Sequence, residues 1–191
     1  MNRNPEYLHQ ELLIIRFRKG DTSVFEEIIT YWEPQLLYYI RRLVISEEDA
    51  WDVLQEVWYK VLRQLQWLKD EKAFPKWLYA IARSTALDLL RRRRKLEPFD
   101  TEENPSVPES IYEPELSILD ALALHQALER LSLPHREVVT LHFLEDFSIA
   151  EIAEIVNTTP GTVKSRLFYA KRELRIMLLS SRDAQRSVNH A

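Results

Sequence analysis

The chain contains no cysteine, which excludes a disulfide framework, a thiolate nucleophile and any cysteine zinc site. Only two glycines, Gly20 and Gly161, occur in 191 residues, too few for a phosphate-binding loop, a dinucleotide fingerprint or a nucleophile elbow. No apolar run approaches the ~20 residues that a membrane span requires. Arg3, Glu6, His9 and Glu11 interrupt any signal-peptide core at the N-terminus. A soluble, cytoplasmic protein without a membrane span is therefore expected. His9, His125, His135, His142 and His190 are scattered, and none joins carboxylates at a metal-ligand spacing. His142 and Glu145 share a helix face, but one such pair is ordinarily structural. No catalytic residue, metal, cofactor or small-molecule substrate is expected, and the chain is not read as an enzyme.

What remains is 46% hydrophobic and 29% charged, a composition that favours helices over a β-sandwich or a disordered chain. The formal net charge of -4 argues against a protein that coats DNA by charge alone. Its distribution is very uneven. Between Arg83 and Lys95 stand Arg91, Arg92, Arg93 and Arg94 with Asp88 as the lone acid, whereas Glu97 to Glu115 carries only acidic charge. Prolines 98, 105, 108 and 114 forbid a continuous helix there. The expected organisation is a domain at 1–96, an acidic linker at 97–115 and a second domain at 116–191.

The first part shows helical periodicity. Phe25, Ile28 and Ile29, then Leu36, Leu37, Ile40 and Leu43, recur at three- and four-residue steps, with Pro34 expected to kink or divide that stretch. Ala50, Val53, Leu54, Val57, Trp58, Val61 and Leu62 form a second stripe behind a Ser46 cap and the acidic Glu47, Glu48 and Asp49. A third carries Trp77, Leu78, Ile81, Ala82, Thr85, Leu89 and Leu90 straight into the arginine cluster. Three antiparallel helices with one core follow, Trp77 belonging to that core and Trp67 to Phe74 forming the loop before the last helix.

In the second part, Ser148 with Glu151 three residues later forms a capping box that opens a short helix with Ile149, Ile152, Ala153 and Val156 on one face. Asn157 and Thr158 break it. Thr159 caps and Pro160 starts another helix, with Val163, Leu167, Ala170 and Leu174 inward and Lys164, Ser165, Arg166, Lys171 and Arg172 outward. This is a helix-turn-helix pattern, whose second helix fits a major groove about 12 Å wide and offers backbone amides to a phosphate. The fold class expected is all-α: two small helical domains joined by an acidic, proline-containing linker, the C-terminal one a helix-turn-helix.

These residues carry a family resemblance. The segment from Ser132 to Leu174, SLPHREVVTLHFLEDFSIAEIAEIVNTTPGTVKSRLFYAKREL, resembles the fourth domain of extracytoplasmic-function (ECF) sigma factors, GTVKSRL being especially typical. DAWDVLQEVWYKVL (Asp49 to Leu62) resembles the family's polymerase-binding helix, and FPKWLYAIARSTALDLLRRRRK (Phe74 to Lys95) its promoter-melting helix. Two domains matching in the family's order imply an alternative sigma factor whose partners are core RNA polymerase and promoter DNA, with an anti-sigma protein as regulator.

The resemblance also implies site residues. Asp49, Asp52, Gln55 and Glu56 fall in the motif that docks on polymerase. Trp67, Lys69, Lys72, Phe74 and Lys76 fall in the loop that captures an unstacked base of the minus-10 element, with Arg83, Ser84 and Arg91 to Arg94 on the helix behind it. Here Arg91, Arg92, Arg93 and Arg94 suit phosphate contacts. Ser84 follows IAR where many relatives carry asparagine, so the downstream sequence preference is open. Thr159, Gly161, Thr162, Lys164, Ser165, Arg166, Tyr169, Lys171 and Arg172 fall in the minus-35 reader. The linker reads either as a nucleic-acid mimic in a basic polymerase channel or as a flexible tether. Two other functions compete: a stand-alone helix-turn-helix regulator with a symmetric operator, and a docking adaptor built on Asp49 to Leu62 that never reads a promoter.

Overall fold

The stripe that includes Ile28 folds as a helix that buries Ile28, Trp32, Leu36, Tyr39, Ile40 and Leu43. It runs unbroken through Pro34, so the proline does not divide it. The amide bond lost there would have reached the Thr30 carbonyl; Thr30 and Pro34 are both exposed, so water serves the freed group while Trp32 and Leu36 anchor the axis on either side. The computed structural model describes residues 5–44, 46–96 and 121–188. Within them the helices are α1 (Pro5–Arg18), α2 (Phe25–Leu43), α3 (Glu47–Gln64), α4 (Phe74–Leu96), α5 (Ala121–Arg130), α6 (Leu133–Val139), α7 (Ile149–Ile155) and α8 (Pro160–Val188). No strand occurs among the described residues. The acidic stretch read as a linker lies outside them.

Four helices, not three, build the N-terminal half. α1 seals the bundle with Leu13, Ile14 and Phe17, which are buried, and stops at Gly20, whose φ of 99° lies in the left-handed region that closes a helix end. α3 is capped by the Ser46 hydroxyl, which accepts from the Asp49 amide at 3.1 Å. It lays Val53, Leu54, Val57 and Val61 against α2 and α4. α4 contributes Phe74, Leu78, Tyr79, Ala82 and Ala86. Trp77 is half-buried and packs against this core, its ring 5.9 Å from that of Phe74. Burying each large aliphatic or aromatic side chain contributes roughly 1.5–3 kcal/mol before chain entropy is charged against it.

The C-terminal half is wrapped around α8, which packs on α5, α6 and α7 through Val163, Leu167, Ala170, Leu174 and Leu178. α6 runs into a wider turn, Thr140–Leu144, with π-type bonding. The Ser148 capping box is complete: its hydroxyl accepts from the Glu151 amide and the Glu151 carboxylate accepts from the Ser148 amide at 2.9 Å. Between α7 and α8 the chain turns at Asn157, in the left-handed region at φ 51°, and the Thr158 amide donates to the Ala153 carbonyl at 2.9 Å. Thr159 then accepts from the Thr162 amide at 3.1 Å and opens α8. The halves also touch: α7 lies on α4, and α6 and the turn after it lie on α2.

Since the capping box satisfies two amides at the start of α7 that would otherwise have no intrahelical partner, Ser148→Ala is expected to destabilise the protein by about 1 kcal/mol. Thermal unfolding followed by circular dichroism reads this as a midpoint lowered by roughly 2–4 °C; an unchanged midpoint contradicts it.

Candidate nucleic-acid and polymerase interface

α4 is the element that brings cationic groups to one surface. Its apolar residues fix it on α2 and α3, so its remaining side chains are held in a defined row rather than on a loose arm. Arg83 and Lys76 stand on the side facing the C-terminal half, Ser84 is exposed and donates to the Ile81 carbonyl at 3.0 Å, and Arg91 pairs with Asp88 at 3.1 Å. Arg92 and Arg93 are exposed at the basic end, and the Arg94 side chain lies outside the described residues. Before α4, the loop carries two short 3-10 turns, Leu65–Trp67 and Glu71–Ala73. Trp67 is 76% exposed, the most open large apolar residue described, and Lys69 and Lys72 are exposed beside it. With Phe17, Arg18, Gly20, Thr22, Leu62, Arg63 and Gln66 it lines an open groove of about 580 Å³.

Three residues expected at a surface are turned inward. Phe74 is fully buried, its ring packed near Trp32 and Trp77, because it caps the bundle where α4 begins. Asp49 is 1% exposed, and its carboxylate accepts from the Arg93 guanidinium across 44 residues of sequence. It ties the start of α3 to the basic end of α4, while Asp52, Gln55 and Glu56 line the exposed face of α3. Tyr169 is half-buried, its ring stacked on His135 at 6.1 Å and its hydroxyl shielded from solvent, so it faces the interior side of α8.

The N-terminal turn of α8 is open. Thr159, Gly161, Lys164 and Ser165 are exposed, Thr162 and Arg166 half so, and Lys171 and Arg172 continue the cationic side. Lys171 lies 5.1 Å above the Phe143 ring, a cation–π contact. A Cβ at Gly161 would meet nothing nearer than the Thr159 hydroxyl at 3.8 Å, so the fold itself does not require glycine there. Helix interiors cost glycine about 1 kcal/mol relative to alanine.

Sequence reasoning missed the contact between the halves. Glu137 of α6, 3% exposed, accepts from the Tyr39 hydroxyl at 3.0 Å and from the Arg83 guanidinium at 2.8 Å. Tyr79 donates its hydroxyl to the Glu145 carboxylate, and Lys76 pairs with Glu154. Between these bonds the Tyr79 ring packs on Tyr39 and on Phe147, each at 5.0 Å. Burial pushes the Tyr39 and Tyr79 hydroxyls well above the usual tyrosine range, with the neighbouring carboxylates adding to it. Burial also raises the Glu145 carboxyl, opposed by the hydrogen bond from Tyr79. No group of three or more metal-ligating side chains occurs among the described residues, and no described helix is long and apolar enough to cross a membrane.

Comparison with known proteins gives the family. Residues 28–96 match the model of sigma-70 region 2, and residues 121–174 match sigma-70 region 4. The ECF RNA polymerase sigma-E factor of Escherichia coli K12 is 32% identical over 88% of this chain and 94% of its own length. This chain belongs to the sigma-70 family. It is an ECF sigma factor, a transcription initiation factor that binds core RNA polymerase and directs it to promoters. The RNA polymerase sigma-H factor of Pseudomonas aeruginosa is 31% identical over 85% of this chain and 90% of that protein. Among solved structures, the sigma factor RpoE in complex with the anti-sigma factor NepR, from Bartonella quintana, aligns with a TM-score of 0.65 at 26% identity, covering 81% of this chain and 96% of that one. CnrH in complex with the cytosolic domain of CnrY has the same fold, with a TM-score of 0.66 at 21% identity over 90% and 97% of the two chains.

The burial of Asp49 separates it from its exposed neighbours in the same motif. Asp49→Ala is expected to leave the Arg93 charge without its partner and to lower unfolding stability by about 1–3 kcal/mol, whereas Asp52→Ala changes it by less than about 0.5 kcal/mol. Urea denaturation of the two variants checks this, and equal midpoints contradict it.

Proposed function

We propose that α4 and the loop before it read and hold the melted minus-10 strand, while the N-terminal turn of α8 reads the minus-35 duplex and the outer face of α3 docks on polymerase. The observation that carries this reading is the open start of α8: Thr159 and Thr162, Lys164 and Arg166 beside a glycine for which the fold has no need. A missing side chain there lets a phosphate approach the positive end of the helix closely. Lys69, Lys72, Arg91, Arg92 and Arg94 hold phosphates near the melting point, Trp67 offers a face on which an unstacked base can rest, and Asp52, Gln55 and Glu56 meet polymerase. Lys76, Arg83 and Arg93 join them once released from Glu154, Glu137 and Asp49. Asp49, Phe74 and Tyr169 serve by positioning these groups.

The domain boundaries that suit this division are 1–96 and 116–191, with residues 97–115 as the linker. The chain works in the cytoplasm and supplies no catalysis of its own; bond formation belongs to the polymerase. By its likeness to the RpoE that was solved with NepR, it is held in check by an anti-sigma protein.

In vitro transcription with bacterial core polymerase on a pool of promoters tests this directly. Defined start sites appear only with the protein and are lost in Lys164→Ala/Arg166→Ala, which also lowers the salt slope of minus-35 binding by about two phosphate contacts. Gly161→Ala gains up to about 1 kcal/mol of stability yet weakens that binding. A double variant that initiates like the parent overturns the assignment of α8.

A further inference from the structure

Trp67 is held out in water by the turn that carries it. Leu65, fully buried, anchors that turn, and the Leu68 amide closes it by donating to the Leu65 carbonyl at 3.1 Å. The 76% exposed indole therefore stands on an anchored base. It lines two hollows at once, and so does Arg63. The hollow on the α4 side, about 360 Å³, carries Lys60, which donates to Thr85 of α4 at 3.0 Å. The hollow on the α1 side is the larger groove, about 580 Å³, within the roughly 300–1,000 Å³ usual for a site that takes a small ligand. Its apolar surface comes from Phe17 and Leu62, Gln66 and Thr22 add an amide and a hydroxyl, and its charges are the guanidiniums of Arg18 and Arg63. Among the described residues no carboxylate lines it.

We propose that this groove takes a nucleobase of the melted strand, the neighbour of the base that Trp67 meets on its other side. The indole then wedges between two successive bases, with Arg63 on the phosphate that joins them. The inference rests on the assignment of Trp67 and its loop to the melted strand made above, and adds to it a second base site built on α1 and α3. Three observations carry it. The first is shape: Trp67 and Arg63 form the wall between the two hollows, and an apolar wedge at a base step separates bases that otherwise stack on each other. Each base can then lie against the indole instead. The second is charge. The outer face of α3 changes sign along its length, from Glu48, Asp52 and Glu56 at its start to Arg63 at its end. A partner that complements those acids is basic and does not suit a groove carrying two guanidiniums, whereas a polyanionic strand does. The third is availability. Among the described residues Arg63 joins no ion pair; it lies 5.5 Å over the Tyr59 ring and donates to the Tyr59 hydroxyl at 3.1 Å, so its charge is uncompensated by any carboxylate. Arg18, held 3.4 Å from Glu71, marks the opposite rim.

Arg18→Ala/Gln66→Ala alters the α1-side groove alone, since both residues are exposed and neither lines the hollow on the α4 side. Holoenzyme assembled from core polymerase and the full-length protein, parent or variant, is bound to a forked fragment of a promoter that the parent selects. The bases of its exposed strand are removed one at a time to leave abasic sites. With the parent, two neighbouring abasic positions each weaken binding about tenfold, the size of a lost base–aromatic stack. With the variant, one of the two loses its effect and the other keeps it. A single sensitive position in the parent, or two that stay equally sensitive in the variant, overturns the groove while promoter binding itself stands. A variant that binds core polymerase more weakly with no DNA present makes the groove a polymerase contact and equally overturns it. A nucleoside monophosphate at millimolar concentration is expected to leave the parent's binding of the fork unchanged; competition by it moves the site to a soluble nucleotide and overturns the strand as its occupant. A parent holoenzyme that binds no promoter overturns the functional reading instead.

Discussion

Glu137 brings an almost fully buried carboxylate into the seam between the halves, and the way its oxygens are met ties the two halves together. A carboxylate moved out of water costs several kcal/mol unless its oxygens find donors. Tyr39 supplies one from α2 and Arg83 another from α4. Both donors belong to the other half of the chain, so Glu137 is fully satisfied only when the halves are together. The tyrosine stack beside it, Tyr39 on Tyr79 on Phe147, adds apolar area to the same seam. An interface made this way is specific but not strong, since the desolvation of the ions offsets much of what their attraction returns.

α4 is the element on which the opposing demands converge. Leu78, Ala82 and Ala86 bind it into the four-helix bundle. Tyr79 and Arg83 turn it toward the C-terminal half, and its basic end is tied back to α3 through Asp49. A helix fixed on several sides presents its cations at defined spacing. Two of its cations, Lys76 and Arg83, are also those that Glu154 of α7 and Glu137 of α6 take up.

Much of this was readable before any coordinates. The apolar stripe of α2, that of α3 up to Val61 though not Leu62, which is exposed, the caps at Ser46, Ser148 and Thr159, and the inward row Val163, Leu167, Ala170 and Leu174 stand as expected, because helical period and end-capping are local and each leaves a mark within a few residues. α1 was missed because its exposed Leu8 and Leu12 lie opposite buried Leu13 and Ile14, which blurs the stripe. Pro34 does not divide α2, because the cost of a proline depends on whether the orphaned carbonyl faces water, and a sequence does not display that. The inward turn of Asp49, Phe74 and Tyr169 was hidden for a related reason: motif membership tells which helix a residue lies on, not which of its faces is covered. The seam between the halves left no local signal at all, since Tyr39 and Glu137 are 98 residues apart. The one available clue was that Glu137 sits among the apolar residues of α6, where a lone acid needs a partner.

The most direct measurement is the distance between the two halves in the free protein and in the promoter complex. Spin labels at Glu48→Cys and Arg175→Cys, both exposed positions in a chain without other cysteines, give it by dipolar spectroscopy. A single short distance in the free chain that lengthens by tens of ångströms with core polymerase and promoter DNA is predicted. The same distance in both states would contradict the proposed placement of α4 and α8 on separate promoter elements.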